Sequence, residues 1–287
     1  MKSGSSTLNT PHPLEDLVRM ERIPHIWCSG CGIGSVFASC LTAIKQTGIP
    51  YSQLAMVSGI GCSGRGAGYI NVDSFHTTHG RAIPFATGIK MAKPDINVIV
   101  FSGDGDLFAI GGNHFIHAAR RNMDLTVICV NNLTYGMTGG QVAATTPHKA
   151  KSSTTMSGNT EIPFNLPFLA WASGATYVAR WTMLHARDLA DAIEEALLRK
   201  GFSFIEVLSP CPINYGGRNK EKPLDTLRMY HENTIVRNGA NPADLDLDFD
   251  KGVVLGKFID IDKPTADESY RELHWPANVP GEERKAG

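Results

Sequence analysis

Apolar positions along this chain change period several times, and each change predicts an element. Residues 33–46 read as a helix, with Val36, Leu41 and Ile44 among its apolar positions. A short apolar run predicts a strand over 54–58. Residues 81–92 read as a second helix, closed by Pro94. Strand 97–102, helix 106–121 and strand 125–130 then form one βαβ unit. Helices near 165–173 and 185–200 flank a strand at 176–180, and strand 203–208 ends before Pro210. Strands alternating with helices predict an α/β fold, a mostly parallel sheet with helices on both faces.

Length sets the scale of that fold. With 287 residues, 42% of them hydrophobic, the chain can bury a sizeable core. The pattern assigns residues 1–215 to the main domain. Residues 216–287 hold half of the 28 acidic residues and little periodicity, so they read as an extension wrapping the domain or a partner. Residues 134–160, rich in Gly, Thr and Ser, read as a loop over a ligand crevice.

Two short motifs sit where chemistry is expected. Gly103-Asp104-Gly105 follows the strand 97–102, and Asn131-Asn132 follows the strand 125–130. If those strands are parallel neighbours, both tips face one crevice, where open α/β sheets bind ligands. Magnesium wants six oxygens and usually takes some from a phosphate. Asp104 offers a charged oxygen, Asn132 an amide oxygen, and the backbone near Thr134 a carbonyl. The glycines let the backbone turn and approach phosphates, and a helix starting near Asp106 would aim free N–H groups at the same anion. Asp106 reads as a helix cap, with water-mediated help to magnesium as the second option. The plain alternative is two ordinary strand-end turns.

Four of the six cysteines lie in turn-like segments: Cys28 and Cys31 as a CxxC pair, Cys62 after the strand at 54–58, and Cys211 after the strand at 203–208. Cys40 and Cys129 fall inside apolar patterns and read as small buried hydrophobes. Four thiolates can hold a [4Fe–4S] cluster, but spacing alone leaves zinc, a redox pair and buried thiols open. A formal net charge of −1 gives no sign of a nucleic-acid partner. No apolar run approaches the roughly 20 residues of a membrane helix, and the first ten residues lack a signal-peptide core. A cytoplasmic location is the expectation.

The run Asn132-Leu-Thr-Tyr-Gly-Met-Thr-Gly-Gly-Gln141 with Thr145-Thr-Pro147, added to the two motifs, resembles the β subunit of 2-oxoacid:ferredoxin oxidoreductases. The likeness covers most of residues 20–215. It implies a thiamine diphosphate-binding domain, with magnesium at Asp104, Asn132 and Thr134. It also implies one [4Fe–4S] cluster on Cys28, Cys31, Cys62 and Cys211. Cofactor contacts are expected from Cys62, Ser63, His79, Gly103, Asp104, Gly105, Asp106, Asn132, Thr134, Tyr135, Gly136, Met137 and Thr138. Arg65 is expected to meet the distal carboxylate of a larger 2-oxoacid, because a guanidinium binds carboxylates bidentately. Together with the run from His79 to Lys90, it makes the likeness strongest to the 2-oxoglutarate type. The expected reaction is coenzyme A-dependent oxidative decarboxylation, with electrons passed to ferredoxin. The expected assembly is a dimer of αβ heterodimers, whose α subunit supplies the activating glutamate and the pyrimidine-binding domain. A pyruvate or broad-range enzyme, and a cluster-free decarboxylase, are the alternatives.

Overall fold

The structure, a computed structural model, describes residues 11–274. Its strands are β1 (Leu54–Ser58), β2 (Asp73–His76), β3 (Asn97–Gly103), β4 (Leu125–Asn131), β5 (Tyr177–Thr182), β6 (Phe202–Leu208), β7 (Thr234–Val236) and β8 (Val253–Asp260). Its helices are α1 (Ile33–Thr47), α2 (Gly66–Tyr69), α3 (Ala82–Ala92), α4 (Gly112–Arg120), α5 (Leu166–Ala172), α6 (Ala186–Leu198), α7 (Gly217–Asn219), α8 (Pro223–Glu232) and α9 (Ala266–His274). The strands form one sheet in the order β2-β1-β3-β4-β6-β5-β8-β7. All neighbours are parallel except β5 and β8.

Alternation along the central strands fills two cores. Ile99 and Phe101 of β3, Ile128 and Val130 of β4, and Ile205 and Val207 of β6 pack on the side of α1 and α6. Val98, Val100, Val127, Cys129, Phe202 and Phe204 face the other way, with Ala86 of α3, Phe115 of α4 and Ala170 of α5. Phe108, Phe115, Phe202 and Phe204 meet at ring distances of 4.5–5.4 Å there. Burying each such ring contributes about 1.5–3 kcal/mol. Both faces are covered, so the strands read as continuous apolar runs. The strand directions then put the tips of β1, β3, β4 and β6 side by side along one edge.

Three features depart from the sequence-based expectation. The helix expected over 106–121 is two elements: a π-helical turn at Gly105–Ile110, then α4. Gly111 and Gly112 lie at the join, and a Cβ on Gly111 would collide with the Asp106 carbonyl. β2 was not expected, because its Asp-Ser-Phe-His sequence is largely exposed and carries no apolar run. Of residues 216–287, those from 275 on lie outside the described residues; the rest add β7 and β8 to the same sheet and the helix α8 before them, with Val253 and Leu255 buried in the core on the α1 side. The β5–β8 register slips between Val178 and Ala179, opposite Lys257 and Ile259, and Gly256 next along β8 has φ +130°, a backbone conformation that an L side chain would resist. Among the described residues no helix is long and apolar enough to cross a membrane.

Candidate functional site

Asp104 follows β3 and is 2% exposed. Burial pushes its carboxyl up to about 6, against hydrogen bonds from Thr145 and from backbone N–H groups of Gly105 and Asn132. The Thr145 hydroxyl, itself fully buried, donates to Asp104 Oδ2. Asn132 follows β4, the parallel neighbour of β3. Its Oδ1 is buried and has no hydrogen-bond partner among the described residues. An orphaned amide oxygen is costly in a dry site, and beside a buried carboxylate it fits a hard cation that takes oxygen ligands. The Thr134 hydroxyl donates to the Gln141 carbonyl at 2.9 Å, which leaves its main-chain carbonyl as the group it could offer.

The turn that presents Asn132 is strained. Leu133 has φ +64°, a conformation that costs a bulky residue of order 1–3 kcal/mol. It is pinned from both sides: its N–H donates to Asn131 Oδ1 at 3.2 Å, and its carbonyl accepts from Thr146 Oγ1 at 2.7 Å. Next along the loop, the Tyr135 hydroxyl donates to the Gly105 carbonyl at 3.2 Å, and its ring would overlap any Cβ on Gly105. Ser63 lies against Gly103, 2.9 Å from where a Cβ would be. Met137 is 46% exposed, and Thr138 donates to Gln141 Oε1 at 2.7 Å on the surface. These two reach the rim of the crevice rather than its floor.

Asp106 is not the expected cap. No side chain caps the turn at 105–110. Asp106 is instead a buried hub, accepting from Ser102 Oγ (2.7 Å), Gly80 N (2.8 Å) and Ile60 N (3.2 Å), with His79 Nδ1 at 2.5 Å. A Cβ on Gly59 would overlap its carboxylate. Asp106 thus ties the Cys62 loop, the His79 loop and the β3 turn together, and its oxygens are consumed in doing so. His79 stays partly exposed beside the Tyr135 ring. Neither Ser102 nor Thr145 was singled out from sequence, although Thr145 stands in the quoted Thr145-Thr-Pro147 run.

The four turn cysteines converge. Cys28 and Cys31 lie in the turn before α1, where the Cys31 N–H donates to the Cys28 carbonyl at 3.0 Å. Trp27 Nε1 donates to the Cys62 carbonyl at 2.7 Å, fixing this turn to the β1 tip. A Cβ on Gly136 would sit 3.5 Å from Cys62 Sγ and 3.6 Å from Cys211 Sγ. Burial first, then the neighbouring Cys211, Cys31 and Cys28, pushes the Cys62 thiol up to about 11. Cys31 is likewise raised, mainly by burial and partly offset by the Ile33 N–H. Among the described residues no three His, Cys, Asp or Glu side chains are grouped to hold one metal ion. Thiols gathered in this way are a donor set that an iron–sulfur cluster or a zinc ion could use. Cys40 and Cys129 are fully buried in the two cores.

Arg65 lies in the same loop as Cys62. Its Nε is buried without a partner among the described residues, and burial, helped by its charge, holds His76 below its ordinary value. Among the described residues no carboxylate forms an ion pair with it.

Known proteins match this chain over nearly its whole length. Residues 58–207 match the family model for the thiamine pyrophosphate enzyme C-terminal TPP binding domain. The chain is 52% identical to the 2-oxoglutarate synthase subunit KorB of Methanocaldococcus jannaschii, over 92% of this chain and 96% of that protein. It is 53% identical to the KorB subunit of Archaeoglobus fulgidus, over 79% and 83%. A solved structure of 2-oxoglutarate:ferredoxin oxidoreductase from Magnetococcus marinus, with 2-oxoglutarate, coenzyme A and succinyl-CoA bound, superposes with TM-score 0.79 at 31% identity, covering 94% of this chain and 91% of that one. The buried Asp–Asn cradle at two parallel strand tips and these relatives lead to one conclusion: the chain belongs to the thiamine pyrophosphate enzymes, in the family of 2-oxoacid:ferredoxin oxidoreductase (2-oxoglutarate synthase) β subunits, and is an oxidoreductase subunit.

Proposed function

We propose that this chain carries out, with an α subunit, the oxidative decarboxylation of 2-oxoglutarate to succinyl-CoA and carbon dioxide, passing electrons to ferredoxin. A low-potential donor would drive the same site toward carboxylation. One observation carries the reading. The tips of four consecutive neighbours, β1, β3, β4 and β6, present Cys62, Asp104, Asn132 and Cys211 along a single edge. A cofactor cradle and a thiol cluster are thereby adjacent, as electron transfer between them requires.

Asp104, Asn132 Oδ1 and the Thr134 carbonyl would hold magnesium, and the close backbone at Gly103 and Gly105 would admit the diphosphate. Cys28, Cys31, Cys62 and Cys211 would hold one [4Fe–4S] cluster. When bound, thiamine diphosphate supplies the electron sink for breaking the bond to carbon dioxide, and the cluster stores single electrons. Asp106 fixes His79 at the rim, where it can meet the diphosphate. Tyr135 and Gly136 close the wall between cradle and thiols. Arg65, with a buried and unpaired Nε, suits the distal carboxylate of 2-oxoglutarate. The choice of substrate and coenzyme A is supported by the names of the relatives and by the ligands of the similar solved structure.

The relatives are named as subunits, which supports a partner chain. That α subunit would bring the pyrimidine-binding domain and the activating glutamate, in an (αβ)2 heterotetramer in the cytoplasm. Residues 216–287, of which β7 and β8 join the sheet, would reach over this domain or the α subunit.

The test is anaerobic co-purification with the α subunit, followed by iron, sulfide and thiamine analysis and a 2-oxoacid screen with an electron acceptor. Thiamine, iron and sulfide for one cluster per chain, and a preference for 2-oxoglutarate are expected. Thiamine without iron would keep the Asp104–Asn132 site and sink the electron path. Equal turnover of pyruvate would move the substrate to the broad-range alternative. Turnover by the β chain alone would remove the need for the partner.

A further inference from the structure

A fully buried ion pair stands one strand away from the cradle. Arg180 of β5 and Glu206 of β6 are register partners, and Arg180 Nε donates to Glu206 Oε2 at 2.6 Å with both side chains 0% exposed. Taking both charges out of water is expensive, and such a pair is weak evidence for stability by itself. Its remaining bonds point to what it does. Glu206 Oε1 accepts from Asn131 Nδ2 at 2.7 Å, and Asn131 is itself 0% exposed. Asn131 Oδ1 in turn accepts from the Leu133 N–H at 3.2 Å. The two residues flanking Asn132 are therefore held by one amide, and that amide is oriented by the ion pair. Because Glu206 is an acceptor here, it fixes which end of the Asn131 amide faces the Leu133 N–H. On the other side, Arg180 Nη1 donates to the Leu245 carbonyl at 2.9 Å, reaching the chain beyond residue 215.

We infer that Arg180, Glu206 and Asn131 form a positioning relay that holds the Leu133 turn and thereby aims Asn132 Oδ1 at the divalent cation. The relay also makes the segment at Leu245 part of the cation site's support. The two asparagines of the Asn131-Asn132 motif divide the work: the first is spent on the relay, and the second keeps its oxygen free. Support of this kind sets the affinity for the metal without touching it. The inference rests on the reading that Asn132 is a cation ligand.

The experiment uses the αβ complex stripped of cofactor and measures the dissociation constant of thiamine diphosphate as magnesium is varied, with iron content as an internal control. Asn132→Ala is the reference and is expected to weaken binding strongly. Asn131→Ala, which leaves Asn132 in place, is expected to weaken magnesium-dependent binding by about 10–100-fold. Excess magnesium should restore saturation, and the iron content should not change. If Asn132→Ala weakens binding while Asn131→Ala leaves it unchanged, the relay is overturned. A loss that excess magnesium cannot restore overturns the positioning role in favour of a purely structural one. Unchanged binding in Asn132→Ala overturns the cation reading itself, and the relay with it. Should Asn131→Ala fail to assemble, Arg180→Lys reads the same quantity. It keeps the charge but loses the fork to Leu245, so a magnesium-restored loss is expected and none would overturn the relay.

Discussion

The carboxyl edge of β1, β3, β4 and β6 and the flank built by β5, β8 and β7 belong to one sheet, yet their polar groups are used in opposite ways. At the edge, donors and acceptors are left open. Asn132 Oδ1 and Arg65 Nε are buried without partners, and burial lifts the Asp104 carboxyl to about 6. In the flank, charge is largely closed off. Arg180 pairs with Glu206 of β6, although its Nη2 finds no partner among the described residues, and Lys257 bridges Glu195 and Asp260 at 3.0 Å each. An open buried polar group costs free energy unless a ligand arrives. A buried carboxylate beside an unpartnered amide oxygen, as at Asp104 and Asn132, therefore marks a binding edge, while the paired charges of the flank hold its shape.

The sharpest way to break that contrast is at Asp104. Asp104→Asn keeps the volume and removes the charge that a cation needs. Magnesium-dependent cofactor affinity should fall by more than about 100-fold, since supporting residues alone cost up to that much. The fold should persist, because the substitution removes an ionised group from a dry site. Thermal unfolding of the cofactor-free protein should show no loss, together with thiamine content near zero. Loss of fold and cofactor together would make Asp104 structural and erase the difference between the two regions.

The matching change in the flank is Leu255→Ala. Leu255 is 0% exposed in β8, within the core shared with Val253, Tyr177 and Ile193. Its truncation should cost about 2–5 kcal/mol of unfolding free energy. Denaturant unfolding checks this, and cofactor affinity should stay put. If affinity falls with stability, the flank is coupled to the cradle more tightly than the chain of bonds from Arg180 through Glu206 to Asn131 implies.

This contrast also explains what could be read from the sequence. β1, β3, β4 and β6 were legible because each is an apolar run that stops at a turn carrying Gly, Asp, Asn or Cys. The cradle followed, since parallel neighbours must bring their tips together. β7 has three residues, two of them exposed, and β8 carries Gly256 in its middle, so neither announces itself. The role of Asp106 is not legible in the sequence because its partners come from Ile60, His79, Gly80 and Ser102. A cap is a local pattern, whereas a hub is made by three loops that only the folded chain assembles. Asn131 was legible as half of a motif but not as the end of a relay through β6 and β5, because no spacing in sequence encodes that contact.

Arg65 gives the smallest and most selective effect, and it separates binding of substrate from binding of cofactor within the open edge. It shares a loop with Cys62, its charge is felt by His76, and no carboxylate among the described residues forms an ion pair with it. A pyruvate molecule has one carboxylate, and 2-oxoglutarate has two. If Arg65 meets the second, Arg65→Ala should raise KM for 2-oxoglutarate by roughly 10-fold or more, the worth of one hydrogen-bonded charge of ~1.5–3 kcal/mol. The KM for pyruvate, the thiamine content and the unfolding midpoint should not move. Steady-state kinetics on both oxoacids with the αβ complex decide it. Equal rises for the two substrates would assign Arg65 to the shared part of the site, the diphosphate or the common carboxylate. An unchanged KM for both would leave its buried Nε as a cost borne for folding the Cys62 loop, and would move the distal-carboxylate contact to a residue of the α subunit.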